Sequence, residues 1–97
     1  MIDLLVVVAS PEAAASLPPL AAALGRAGAN WACFVTGRGA RALARPAVAA
    51  ALGGAGQAVA CEHSWQLAMG DAPCPIEAGS QFHLSLMLGD ARRTLTL

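Results

Sequence analysis

At 97 residues, 57% hydrophobic and 12% charged, the chain is sized for one folded domain around a single core and carries too little charge to stay disordered. Six Arg without any Lys balance six acids, so the basic excess that a nucleic-acid binder needs is missing. No stretch has the length and side-chain bulk to cross a bilayer: Leu4 to Ala9 is too short, and Ala47 to Ala60 is built of small residues.

Ile2 to Ala9 is an aliphatic run interrupted only by Asp3, as in a parallel strand covered on both faces. Ser10-Pro11-Glu12 then supplies a cap residue, a proline suited to a helix start and an early acid. Pro18 and Pro19 cannot donate to the preceding turn, so the expectation is a short turn, then a helix from about Pro19 to Ala27 starting near Ser16, with Gly28 ending it. Asn30 to Thr36 reads as a second strand, closed by the turn Gly37-Arg38-Gly39. Ala40 to Leu52 is Ala-rich helix split or restarted at Pro46 and stopped by Gly53-Gly54; Gln57 to Cys61 is a short third strand. From Glu62 to Ser80 the expectation is a helical turn near Trp65 to Met69 followed by an exposed loop. Gln81 to Leu88 fits both periods, but the cap signal Gly79-Ser80 and the alternating Arg93 to Leu97 favour a final helix and strand. Strands alternating with helices predict one domain over residues 1 to 97: a small Rossmann-like open parallel sheet of four to five strands flanked by helices.

In such sheets ligands sit beyond the carboxyl ends of the strands. One of those ends is Cys61-Glu62-His63-Ser64-Trp65, which gathers a thiol, a carboxylate, an imidazole and a hydroxyl within five residues. A thiol is a nucleophile only as thiolate, and a protonated His63, Arg38 or the amides of a following helix would favour that form. The alternative is that Cys61 is a small apolar strand-end residue with inert sulfur. Cys33 lies mid-strand and reads as core, while Cys74, between two prolines, is either a relay thiol for Cys61 or an ordinary loop residue. Three cysteines cannot all pair within the chain and are read as thiols. Cys61, His63, Cys74 and His83 lack the spacing of a structural zinc site, so no metal is expected.

Gly37-Arg38-Gly39-Ala40-Arg41-Ala42 formally matches a dinucleotide fingerprint, although a plain turn opening a helix explains it better. Arg38, Arg41 and Arg45 share a helix face, either solvated or a weak anion site. Trp31 and Trp65 read as packing or interface residues. The acid in Met1-Ile2-Asp3 stands where a signal peptide carries bases, so a cytoplasmic protein is expected.

Three stretches resemble the DsrE/DsrF-like family of small α/β sulfur-relay proteins: the apolar strand Ile2 to Ala9; Asn30 to Leu43, with Phe34-Val35-Thr36 ending a strand before Gly39 and a helical Leu43; and the closing helix and strand within Gly79 to Leu97. The resemblance implies a Rossmann-like parallel sheet, homo-oligomers, and a cysteine that carries a persulfide between a sulfur donor and an acceptor protein, with no cofactor. Cys61 is the position it points to, with His63 assisting and Arg38, Glu62, Ser64 and Cys74 as neighbouring binding candidates. The other reading is a non-catalytic subunit of such an assembly, or a small nucleotide- or anion-binding module using the Gly37 to Arg41 turn.

Overall fold

The computed structural model describes all 97 residues. Five strands, β1 (Leu4–Val8), β2 (Trp31–Val35), β3 (Gln57–Cys61), β4 (Glu77–Gly79) and β5 (Thr94–Thr96), form one sheet in the order β4-β3-β2-β1-β5, and every pairing is parallel. The helices are α1 (Ala13–Arg26), α2 (Ala40–Leu43), α3 (Pro46–Leu52), α4 (Glu62–Met69) and α5 (Gln81–Asp90). This is an open parallel α/β sheet, and none of its helices is long and apolar enough to cross a membrane.

Alternation along the strands sends side chains into two cores. Val6, Val8, Trp31, Cys33, Val35 and Ala60 pack with Leu17 of α1, Leu43 of α2, Val48 and Leu52 of α3 and Trp65 of α4. Leu5, Ala32, Phe34, Val59 and Cys61 pack on the opposite face with Met87 of α5. Four helices therefore cover one face and α5 alone covers the other. The chain steps from β1 through β4 in one direction along the sheet, then returns to the far side of β1, and right-handed crossovers require the return helix to lie on the other face. Trp31 and Trp65, 2% and 6% exposed, are both packed in the first core.

Two local expectations change. Helix α1 runs through Pro18 and Pro19 from Ala13, with Glu12 as its cap. Pro19 and Ser16 are exposed and Pro18 half-buried, whereas Ala13, Leu17 and Ala21 face the sheet. Neither proline belongs to the buried stripe, and that stripe sustains the helix across the two missing amide donors. The segment expected to be wholly loop contributes the edge strand β4, whose Glu77 pairs with Val59 and Gly79 with Cys61. Three residues between prolines and a cap carry no alternation that periodicity could detect. As anticipated, Pro46 divides the Ala-rich helix: it opens α3, with Arg45 extended as its cap.

Gly39 has a structural reason to be glycine. A Cβ there would overlap the Val8 carbonyl oxygen, so the turn after β2 can lie against the end of β1 only without a side chain.

Candidate functional site

The connection leaving β3 enters α4 on one face, and the connection leaving the adjacent β4 enters α5 on the other. The carboxyl ends of β3 and β4 consequently flank the crevice where an open parallel sheet accommodates a ligand. A cleft of about 470 Å³ opens there, and Cys61, Glu62, His63, Gln66, Gly79, Ser80, Gln81 and Phe82 line it.

Cys61 is the cap residue of α4, with extended backbone, and Ser80 occupies the same position on α5. Ser80 Oγ accepts the Phe82 amide (3.2 Å), and the Ser80 amide donates to His83 Nδ1 (3.1 Å). His83 Nε2 faces Glu77 Oε2 at 3.9 Å. Two helix starts therefore flank the thiol: α4 offers its first amides, which favour negative charge, and α5 offers the side chain of its first residue, Gln81.

Burial acts to raise the Cys61 thiol, but donors from Ser64 (hydroxyl and amide), the Gln81 side chain and the His63 amide outweigh it, and the net pKa is lowered. None of these closes into a cap bond of regular geometry; their effect is the summed field of several donors turned toward one sulfur. Two of them are held from elsewhere in the sheet. The Gly37 amide donates to Ser64 Oγ at 2.8 Å, which leaves the hydroxyl proton free for the sulfur, and Gln81 Nε2 donates to Thr36 Oγ1 at 3.2 Å. The end of β2 thus positions groups contributed by α4 and α5.

Cys33 is the chemical opposite. It is fully buried mid-strand, and burial pushes its thiol up to about 12. Cys74 is half-buried and packs against the core beneath α1 to α4, whereas Cys61 belongs to the core beneath α5. It is absent from the Cys61 cleft.

Of the residues singled out from sequence, Cys61, Glu62 and His63 share that cleft. His63 is exposed, and its contribution to the thiol runs through its amide. Arg38 lies in a second cleft, of about 220 Å³, with Gly37, Arg41, Ser64, Leu67 and Ala68. Ser64 stands between the two, lining the second while reaching the sulfur of the first. Cys61, His63, Cys74 and His83 do not converge, and no three His, Cys, Asp or Glu side chains gather as metal ligands would. Sequence reasoning missed Gln81 and Thr36. Thr36 was visible as a strand end, but Gln81 acquires its place only because β4 brings the start of α5 beside β3.

No protein-family model, curated protein or solved structure matches the chain.

Proposed function

We propose that this protein is a sulfur-relay protein of the DsrE/DsrF-like type, a persulfide carrier or sulfurtransferase subunit acting through Cys61. The observation that carries the reading is the lowered pKa of a thiol bordering the cleft between β3 and β4. Sulfur transfer needs a thiolate at neutral pH and a product that a second thiol can still reach.

In the proposed step the Cys61 thiolate attacks the terminal sulfur of a donor persulfide, R–S–SH. A sulfur–sulfur bond forms on Cys61 as the donor's breaks, giving Cys61–S–SH and R–S⁻, with no net oxidation. An acceptor thiolate then attacks the outer sulfur, and Cys61 leaves as thiolate. Ser64, Gln81 and the His63 amide stabilise the same anionic sulfur before attack and after release. The reaction requires a free thiol, which a reducing compartment such as the cytoplasm maintains.

The test is intact mass after exposure to a small-molecule persulfide, comparing the wild type with Cys33→Ser, Cys61→Ser and Cys74→Ser. The wild type, Cys33→Ser and Cys74→Ser should gain one sulfur atom, and Cys61→Ser none. Gain by Cys61→Ser, or none by the wild type, overturns the proposal.

A second reading, an anion-binding module, rests on the cleft that Arg38 and Arg41 share. The one close contact between a basic and an acidic side chain in the structure is His83 with Glu77, so both guanidiniums lack a carboxylate partner. Saturable binding of a small oxyanion, lost in Arg38→Ala/Arg41→Ala and unaffected by Cys61→Ser, would favour it.

A further inference from the structure

Helix α5 is apolar on both sides. Met87 is buried against the sheet with His83 and Leu84 half-buried beside it, while Phe82, Ser85, Leu86 and Gly89 form the opposite, outward stripe at helical spacing. Phe82 is 66% and Leu86 58% exposed, and no residue from Gln81 to Gly89 carries a formal charge with His neutral. A helix apolar all round is ordinarily buried on both sides. Gly89 lies on this stripe in the last turn of the helix, and a Cβ there would meet nothing within 4 Å, so the stripe is open at that end.

We infer that the outward stripe of α5 binds the α5 of a second copy of this chain, antiparallel about a two-fold axis passing between Ser85 and Leu86. In that arrangement Phe82 of each copy lies over Gly89 of the other, and Leu86 over Ser85, so each large side chain meets a small one. The charges agree. The N-terminal end of α5 is flanked by the exposed Glu77, and its C-terminal end by Arg92 and Arg93, exposed and outnumbering Asp90. Antiparallel pairing sets the negative end of one copy against the positive end of the other, and Asp90 against the partner helix's amino end. Phe82 also lines the Cys61 cleft, so the second copy would sit at the rim of that cleft. The inference is independent of the sulfur chemistry.

Sedimentation of the wild type at micromolar concentration should give a dimer. Leu86→Glu, at an exposed position, should give a monomer with unchanged circular dichroism. In a Cys61→Ser/Cys74→Ser background, Ser85→Cys should form a covalent dimer under mild oxidation, and Leu67→Cys, exposed on α4, should not. A monomeric wild type, or a dimer that survives Leu86→Glu without Ser85→Cys cross-linking, overturns the inference.

Discussion

The Gly37 amide and the Ser64 hydroxyl oxygen are joined by a 2.8 Å hydrogen bond across 27 positions of sequence. The bond ties the turn after β2 to the first turn of α4 and orients the hydroxyl that serves the Cys61 sulfur. Gly37 has a φ of 56°, a left-handed conformation that glycine adopts without strain. The activation of Cys61 therefore depends on a turn that does not line its cleft.

Removing these donors should raise the thiol's pKa. A hydrogen bond to a charged group contributes about 1.5–3 kcal/mol, with looser geometry giving less. Ser64→Ala and Gln81→Ala should each slow alkylation of Cys61 at pH 7 by roughly 3- to 10-fold, at about 1.4 kcal/mol per tenfold. The rate should recover at alkaline pH, where thiolate forms without help. An unchanged rate in both variants removes the assigned roles of these residues.

The three thiols should label in a fixed order. Cys61 should react first, with a rate that rises with pH through a midpoint below the ordinary thiol value of 9.0 because its pKa is lowered. Half-buried Cys74 should follow, and Cys33 should stay unreactive until the protein unfolds. Peptide mapping after timed alkylation reads the order directly.

Cys33 should make the fold sensitive to alkali. Its folded pKa is raised from 9.0 to about 12, so its contribution is intact below pH 9 and is lost progressively as pH rises toward the folded value. The unfolded chain ionises in that window while the folded chain does not, costing about 1.4 kcal/mol per pH unit. Urea titrations at pH 8 and 10.5 should show that loss in the wild type and a shallower dependence in Cys33→Ala.

Gly39→Ala should destabilise the protein by about 1–3 kcal/mol through overpacking against the Val8 carbonyl. Adding a dinucleotide should leave the wild type's Tm unchanged, since the contact with β1 accounts for this glycine without a ligand. A saturable rise in Tm would restore the nucleotide-binding alternative.

The amino-acid sequence by itself determined the class of fold and the position of the thiol. The unbroken aliphatic run of β1 can be satisfied only by cover on both faces, and Pro46, Ser80 and the glycine turns mark boundaries through constraints on single residues. These are local effects, and they are legible locally. Tertiary structure decided what local rules cannot express. Helix α1 persists through two prolines because Ala13, Leu17 and Ala21 are buried against the sheet. Three residues become β4 because the edge of β3 offers them partners. Cys61 gains Gln81, and through it Thr36, because the return of α5 to the far side of the sheet opens a crevice between β3 and β4. The field that lowers a thiol's pKa sums donors from segments distant in sequence, and only the folded chain brings them within reach of one sulfur.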